Sequence, residues 1–282
     1  MEKKIVIITG ASGGFGKEFT KRFIEAGYHV VATVRNEAKK PVVLEGLSPE
    51  EAEHVSIALL DVADKESVTG FGRYLLALER VDVLINNAGF AVAGFAEELT
   101  DEEYLYQFET NFFGVMRVTN LVLPIMRNQK EGRIINISSI SGLIGFPGLS
   151  PYASSKYALE GYSESLRLEL RESGIDVTLV EPGSFQTNIW STGTYMSVKA
   201  GKDDSPYHEL FTNMNKRLQK DQETYGDPKE VADLVVKIAV RKKSPTLRYT
   251  VGNGVKLSLL AKKLLPWKAW ERIVLNQLRK KE

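Results

Sequence analysis

The sequence of 282 residues contains no cysteine and only three histidines, and both facts exclude kinds of site. Without cysteine, there can be no disulfide scaffold, thiolate metal centre or cysteine nucleophile. His29, His54 and His208 are far apart and have no metal-ligand spacing, so we expect no metal site. The 37 Lys+Arg nearly balance the 36 Asp+Glu, which argues against a basic nucleic-acid-binding domain.

The chain also lacks a segment typical of secretion or of a membrane span. It begins with β-branched residues where a signal peptide would carry a longer apolar core. The longest uncharged run, residues 134–155, is broken by glycines, prolines and serines, so it predicts a strand and a loop. We therefore expect a cytoplasmic protein.

Apolar segments alternate with amphipathic ones over residues 1–254. Strands rich in Val, Ile and Leu, each followed by a helix, predict a parallel sheet buried on both faces. We predict strands at residues 5–9, 29–34, 55–60, 81–86, 133–138, 175–181 and 247–251, and helices at residues 17–26, 65–79, 101–126, 152–172 and 228–240. The predicted fold is α/β, a single-domain doubly wound parallel (Rossmann) sheet of about seven strands, with ligands at the carboxyl ends. The polar residues 183–227 are expected to form a substrate loop, with a helix near residues 203–222.

A glycine-rich turn, Thr9-Gly10-Ala11-Ser12-Gly13-Gly14-Phe15-Gly16, lies between the first strand and the first helix. Glycines let the backbone approach a pyrophosphate at the helix N-terminus. The same residues match G-x-S-x-G, the nucleophile elbow of α/β-hydrolases, with Ser12 as the nucleophile. A hydrolase also needs a later acid and histidine, and only His208 comes late enough. The serine hydrolase is therefore the weaker hypothesis.

The end of the second strand indicates which dinucleotide binds. There the chain has Thr33-Val34-Arg35, without a carboxylate to accept hydrogen bonds from the adenosine ribose. Arg35 suits a 2′-phosphate because its planar guanidinium pairs with phosphate oxygens. NADP(H) is therefore preferred, with NAD(H) as the alternative if Arg35 is only a solvated surface residue.

Tyr152 and Lys156 lie four residues apart on one face of a predicted helix. The strand before this helix ends in Ser138 and Ser139. A strand end and a helix start of this kind are expected at the same edge of the sheet as the glycine turn. Tyr-x-x-x-Lys alone is a weak signal, but its combination with the turn and the serines is specific.

This combination resembles the short-chain dehydrogenase/reductase family over nearly the whole chain. The matching residues are Thr9, Gly10, Gly14, Phe15, Gly16, Asp61, Asn86, Asn87, Ala88, Gly89, Asn111, Ser139, Tyr152, Lys156, Pro182 and Gly183. Phe15 departs from the Ile or Leu usual in the family. The resemblance implies an NAD(P)-dependent oxidoreductase acting on an alcohol or carbonyl, and a homo-oligomer, either dimer or tetramer. The alternative, a non-catalytic NAD(P)-binding regulator, has no need of the tyrosine, lysine and serine.

The resemblance also implies roles for individual residues. Tyr152 is the acid–base group, Lys156 and Ser139 assist it, and Asn111 orders a water that passes protons to bulk unless it bonds only to backbone. Ser139 is chosen over Ser138 because the family places its serine thirteen residues before the tyrosine. The implied cofactor-binding residues are Gly10, Ser12, Gly14, Phe15, Gly16, Arg35, Asp61, Val62, Asn87, Ala88, Gly89, Tyr152, Lys156, Pro182, Gly183 and Thr187. Asp61 is placed at the adenine, with capping of the next helix as its alternative.

Acid–base work near neutrality requires a lower tyrosine pKa than the usual ~10, at a cost of up to about 4 kcal/mol. One ammonium at ~5 Å, with an effective dielectric constant of ~20, supplies about 3 kcal/mol. We therefore expect Lys156 to lower the pKa of Tyr152, with the charge of the oxidised nicotinamide adding the remainder.

Apolar residues dominate the loops expected to line the substrate pocket. They are Phe90, Val92, Phe95, Leu143, Ile144, Phe146, Phe185, Ile189 and Trp190. A pocket with few charges suits a small lipophilic ketone or secondary alcohol. In this respect the chain is similar to the retinol- and steroid-dehydrogenase-like side of the family.

The C-terminal segment, residues 255–282, carries eight Lys and Arg but two Glu, interleaved with Leu, Ile and Trp. This pattern predicts an amphipathic helix interrupted by Pro266. Packing against its own domain or a subunit partner is the simpler interpretation. The alternatives are contact with an anionic membrane surface, which would make the protein peripheral, and a cover over the pocket.

Overall fold

Seven parallel strands form the central sheet of the computed structural model, which describes residues 3–190 and 193–279. The strands of the chain are β1 Ile5–Ile8, β2 His29–Val34, β3 Val55–Leu59, β4 Val83–Asn86, β5 Ala91–Ala93, β6 Gly132–Ile137, β7 Ile175–Pro182, β8 Thr194–Met196 and β9 Arg248–Val251. The sheet order is β3-β2-β1-β4-β6-β7-β9, so the strand order reverses between β1 and β4. Ligands of doubly wound folds bind at this reversal. The prediction of a seven-stranded doubly wound sheet is confirmed.

Helices pack on both faces of the sheet. They are α1 Phe15–Glu25, α2 Lys40–Leu44, α3 Pro49–Ala52, α4 Lys65–Leu75, α5 Asp101–Phe108, α6 Gly114–Gln129, α7 Ser150–Glu169, α8 His208–Asp221, α9 Pro228–Ala239, α10 Val255–Leu264 and α11 Trp267–Arg279. A hydrophobic core lies on each face of the sheet, and alternate residues of β1 point into one or the other. Val6 and Ile8 pack with α1 and α9, and Ile7 packs with α4 and α6. Burial on both faces explains why the central strands are apolar throughout.

The long helix expected at residues 101–126 forms, and it continues to Gln129. The sequence did not predict the π-helical turn at Glu109–Phe113, which lies between its two α-helical parts, α5 and α6. Asn111 lies inside the π-turn, and its side chain bonds both backbone groups of Phe90. An inserted turn of this kind is often found at functional sites.

Strands β5 and β8 form a separate parallel pair that the sequence pattern did not predict. The pair joins the segment after β4 to residues 194–196 of the expected substrate loop. Further along that loop, the helix expected near residues 203–222 forms as α8. The loop is therefore attached to the sheet's carboxyl edge at a defined point.

The C-terminal segment forms two helices, α10 and α11, separated at Pro266 as the sequence predicts. Val255 and Trp270 are buried. A Cβ placed on Gly183 would lie 2.6 Å from Val255 Cγ2, so the start of α10 packs directly against that glycine. The proposed boundary at residue 254 stays a prediction. Within the described residues, no helix is long and apolar enough to cross a membrane.

Candidate active site

A cleft of about 680 Å³ lies at the carboxyl ends of the strands. Of the predicted site residues, it is lined by Gly10, Ser12, Gly14, Phe15, Arg35, Asp61, Val62, Asn87, Ala88, Gly89, Ser139, Tyr152, Lys156, Pro182, Gly183 and Thr187. Gly16 and Asn111 lie behind its wall. The fold thus brings together residues up to 177 positions apart in sequence, because the segments that carry them follow parallel strands.

The glycine turn is tightly constrained at two of its glycines. Gly10 has a φ of 65°, and a Cβ on it would lie 2.9 Å from the Ala88 Cα atom. A Cβ on Gly16 would lie 2.8 Å from the Ala11 Cα atom, so the helix packs closely on the turn. Helix α1 begins without a side-chain cap. The Gly16 N–H bonds to the Gly13 carbonyl at 2.9 Å, and no described side chain blocks the approach of an anion to this helix N-terminus.

Asn87 connects the end of β4 to the glycine turn. Its side-chain amide donates to the backbone oxygens of Thr9 (2.9 Å) and Gly10 (3.1 Å). The Thr9 hydroxyl in turn accepts from the N–H groups of Asn87 and Ala88. Asn87 therefore fixes the shape of the glycine turn.

Arg35 and Lys39 line the cleft beyond the end of β2, and both are exposed. Within the part of the chain that the structure describes, Arg35 has no ion-pair partner, so its guanidinium is available. Asp61 accepts a hydrogen bond from the Ala63 N–H at 3.0 Å. The cap of α4 is Asp64, not Asp61, which removes the capping alternative for Asp61.

Tyr152, Lys156 and Ser139 meet in the buried part of the cleft. The Tyr152 hydroxyl hydrogen-bonds with Ser139. Lys156 Nζ lies 5.8 Å from the centroid of the Tyr152 ring and donates to the Ile137 carbonyl at 2.8 Å. The Ser139 side chain also accepts from the Ser141 N–H at 3.1 Å, which fixes its orientation.

Burial is the largest influence on the pKa values of Tyr152 and Lys156. It raises the pKa of Tyr152 to about 12, although the hydrogen bond with Ser139 acts in the opposite direction. It also lowers the pKa of Lys156 to about 8, against the attraction of Glu160. The expected lowering of the tyrosine pKa is therefore wrong for the protein alone, because desolvation by burial outweighs the hydrogen bond with Ser139. The protein holds Tyr152 as a neutral phenol, the form that donates a proton.

Asn111 is fully engaged one layer behind the cleft. Its Oδ1 accepts from the Phe90 N–H at 3.2 Å, and its Nδ2 donates to the Phe90 carbonyl at 3.0 Å. The same Nδ2 lies 3.3 Å from Ser155 Oγ. These contacts resemble the backbone-bonded alternative more than the water-ordering role, which stays a prediction.

Ser12 has no histidine beside it. His29 bonds to Ser56, His54 to Lys3, and His208 to the backbone of the loop after β8. None of the three lines the cleft. Without a base at Ser12, the serine hydrolase has no catalytic arrangement in the described residues.

The substrate side of the cleft agrees with the predicted lining only in part. Phe90, Phe185 and Ile189 line it. Ile144 and Val92 are fully buried, and Phe95 stacks on Tyr207 with ring centroids 4.2 Å apart, so these three were assigned wrongly. They belong to the packing beneath the loops. Leu143 and Phe146 do not line the cleft either, and the Trp190 side chain lies outside what the structure describes.

Two aromatic residues of the lining were missed from the sequence. Tyr106 of α5 and Tyr195 of β8 have ring centroids 6.0 Å apart, and Phe90 lies 4.6 Å from Tyr106. No motif marks either tyrosine. Their position depends on the unpredicted β5–β8 pair and on the π-helical turn between α5 and α6.

Comparison with known proteins agrees with this geometry. The model of the family described as short chain dehydrogenase matches residues 4–195. The chain belongs to the short-chain dehydrogenase family. It is 47% identical to the uncharacterized oxidoreductase YusZ of Bacillus subtilis over 281 residues, which is 99% of each chain.

Two further proteins resemble this short-chain dehydrogenase over most of its length. The 3-ketodihydrosphingosine reductase of Bacteroides thetaiotaomicron is 37% identical and aligns over 91% of each chain. The solved structure of ElxO with NADP bound has a TM-score of 0.74 and 28% identity, and it covers 91% of this chain and all of that one. The enzyme is therefore an oxidoreductase of a family that acts on alcohol and carbonyl groups with a nicotinamide cofactor.

Proposed function

We propose that this dehydrogenase transfers hydride between NADP(H) and a lipophilic ketone or secondary alcohol, with Tyr152 as the acid–base group. The observation that carries the proposal is the position of Tyr152. Its phenol, hydrogen-bonded with Ser139 and adjacent to Lys156, lies in the same cleft as the uncapped start of α1. The Tyr152 phenol and the glycine turn at the start of α1 therefore face the same cleft.

The glycine turn fits a dinucleotide. The N-terminus of α1, which no described side chain caps, would bind the pyrophosphate, and Asp61 and Val62 would contact the adenine. A Cβ on Gly14 would lie 3.9 Å from Thr187 Cβ, so the loop after β7 closes the cleft opposite the turn. Lys156, Pro182 and Gly183 would hold the nicotinamide riboside. When bound, the reduced cofactor supplies the hydride.

Arg35 and Lys39 support NADP(H) over NAD(H). Both cations are exposed at the end of β2, and a 2′-phosphate there would find two positive side chains and no competing carboxylate on Arg35. The NADP bound to ElxO is consistent with this choice.

In the reduction direction, the protein supplies the proton. The Tyr152 O–H donates to the carbonyl oxygen as hydride reaches the carbonyl carbon, and an alcohol forms. The Ser139 hydroxyl donates a hydrogen bond to the same oxygen and stabilises its developing charge. The ammonium of Lys156 then stabilises the phenolate until solvent returns a proton. The raised pKa of Tyr152 supports donation, because the phenol is protonated at neutral pH.

The substrate wall favours an apolar molecule. Phe90, Tyr106 and Tyr195 present rings to the cleft, and Ile189 continues the surface. No Lys or Arg of the lining lies on this side, so a phosphate or carboxylate would have no cation to bind. The name of the Bacteroides relative, a reductase of a long-chain ketone, agrees with this class. A homo-oligomer stays a prediction.

A ketone panel tests the proposed function. We expect NADPH oxidation, followed at the nicotinamide absorbance band, with alkyl and aryl ketones. A phosphorylated or carboxylated ketone of equal size should give a kcat/KM about 100-fold lower, because burial of an unpaired charge costs several kcal/mol. Equal rates with charged and apolar ketones would contradict the assigned substrate class.

We also propose that the α10–α11 pair contacts an anionic membrane surface. Leu257, Leu264 and Trp267 are each about 70% exposed. Several large apolar side chains exposed on one segment are typical of an interaction surface. Exposed Lys256, Lys263 and Lys268 flank them. Apolar residues among cations match the chemistry of an anionic lipid interface.

Vesicle pelleting tests this surface. The double variant Leu257→Asn and Leu264→Asn should reduce binding to phosphatidylserine-containing vesicles at least about tenfold, since each leucine contributes up to 1.5–3 kcal/mol when buried. Leu76→Asn is the matched control, because Leu76 is 86% exposed on α4's side of the molecule. Equal binding to phosphatidylcholine-only vesicles would contradict the requirement for an anionic surface. Dissociation of an oligomer in the double variant would assign these leucines to a contact between subunits and reject the lipid surface.

A further inference from the structure

Two buried glutamates lie directly behind the catalytic residues. Glu160 of α7 is 5% exposed, and Glu181, near the end of β7, is 0% exposed. Arg248, at the start of β9, contacts both: its Nε lies 3.0 Å from Glu160 Oε2 and 3.5 Å from Glu181 Oε1. The second arm of Arg248 binds the exposed Glu164 at 2.8 Å.

The charges of this cluster do not balance if every glutamate is ionised. One guanidinium serves three carboxyl groups, and the remaining cation that acts on them is the Lys156 ammonium, through its attraction to Glu160. Neither oxygen of Glu181, nor Oε1 of Glu160, accepts a hydrogen bond from any described donor. Two adjacent buried carboxylates would repel each other, whereas a single proton between them would form a hydrogen bond.

Ionisation of the pair follows the same physics. Burial and the neighbouring Glu160 raise the pKa of Glu181 to about 7, while Arg248 acts in the opposite direction. Burial also raises the pKa of Glu160, against Ser138, Arg248 and Lys156. Ser138 acts on the pair from just after β6, Lys156 from α7 and Arg248 from β9.

Each member of the cluster is adjacent to a residue of the active site. Glu160 follows Lys156 by one helical turn, and Glu181 directly precedes Pro182 and Gly183. Ser138, whose hydroxyl faces Glu160, directly precedes Ser139. Gly142 packs tightly against both residues, since a Cβ on it would lie 2.9 Å from Ser138 Oγ and 3.1 Å from Glu160 Cγ.

We propose that Glu160 and Glu181 share one proton and act as positioning residues, holding α7 and the end of β7 at the spacing that the cofactor requires. This role rests on the proposed function of the cleft. Loss of the proton would place two negative charges side by side, separate α7 from β7, and move Lys156 relative to Pro182 and Gly183. Affinity for the cofactor would therefore fall as the pair ionises.

Infrared difference spectroscopy during pH titration of the protein alone tests the shared proton. We expect a protonated-carboxyl C=O band that disappears as pH rises through about 7. Glu181→Gln should abolish the band, because the amide replaces the protonated carboxyl and donates to Glu160. Glu160→Gln should abolish it as well, since its amide donates to an ionised Glu181. Glu164→Gln, which alters the exposed partner of the same arginine, should retain it. A band absent from the wild type, or retained in both buried variants, would overturn the proposal.

The pH dependence of the Tm, measured without cofactor, is an independent test of the shared proton. The pKa of Glu181 is higher in the folded state than in the unfolded chain, so its stabilisation is present at low pH and is lost as pH rises through about 7. Glu181→Gln should match the wild-type Tm at pH 5 and exceed it by about 3 °C at pH 9. A constant difference at both pH values would contradict a proton-dependent role.

NADPH titration between pH 6 and pH 9 tests the positioning role. Glu181→Gln should bind like the wild type at pH 6 and about fivefold more tightly than the wild type at pH 9, a difference of about 1 kcal/mol. Parallel pH profiles would assign the pH dependence to Lys156 instead and reject the role. If the proposed function failed but this proposal held, the infrared band and the Tm difference would remain.

Discussion

Tyr152→Phe is expected to lower the rate of ketone reduction about 10³-fold, the contribution typical of a positioned general acid. The ring is retained and only the hydroxyl that bonds with Ser139 is removed, so the cleft keeps its shape. NADPH affinity should stay within about twofold, because the loss concerns the transition state and not the cofactor. Stopped-flow measurement of hydride transfer, with NADPH fluorescence titration alongside, separates the two effects.

Tyr157→Phe is the matched control for this variant. Tyr157 lies on the same helix, is exposed, and bonds through its hydroxyl to Lys262, outside the cleft. It should retain wild-type turnover. Loss of ester hydrolysis in Ser12→Ala, with ester hydrolysis retained in Tyr152→Phe, would favour the serine hydrolase. Unchanged ketone reduction in Tyr152→Phe would refute the assigned acid.

Arg35→Ala is expected to weaken NADPH binding by about tenfold to a hundredfold and to leave NADH binding unchanged. A hydrogen bond to a charged group contributes about 1.5–3 kcal/mol, and Arg35 is free to direct its guanidinium at the 2′-phosphate. The effect should shrink at high salt, because Arg35 is exposed. Isothermal titration with each cofactor at two salt concentrations measures all three outcomes.

Arg73→Ala serves as the control for charge alone. Arg73 is an exposed arginine of α4 that does not line the cleft. Its removal changes the net charge by the same amount and should leave both affinities intact. If Arg35→Ala weakened NADH and NADPH equally, the side chain would contact the adenosine without selecting the phosphate.

Much of the fold could be predicted because its signals are local. The strands are continuous β-branched runs, and the turn from Gly10 to Gly16 is set by positions where a Cβ would contact backbone. The positions of Tyr152 and Lys156 follow from helical spacing alone. Since all these segments follow parallel strands, a correct strand order already places them at one edge.

The remaining features depend on contacts between distant segments. The π-turn at Glu109–Phe113 accompanies hydrogen bonds from Asn111 to Phe90, and no propensity signals that pairing. Tyr195 reaches the cleft because β8 pairs with β5. The pKa direction of Tyr152 could not be predicted because it depends on how completely the ring is buried. Glu160 and Glu181 are glutamates, which a sequence places in solvent by default.

The contact between Gly183 and Val255 joins the wall of the cleft to the start of the C-terminal helix α10. Because Val255 Cγ2 occupies the volume that a side chain at position 183 would need, the sizes of these two residues are bound to vary together. A homologue with alanine in place of the glycine would require a smaller partner at the head of α10. Cutting the protein just before Val255, an obvious choice for removing the basic tail, would therefore also remove the side chain that packs against Gly183 in the wall of the cleft.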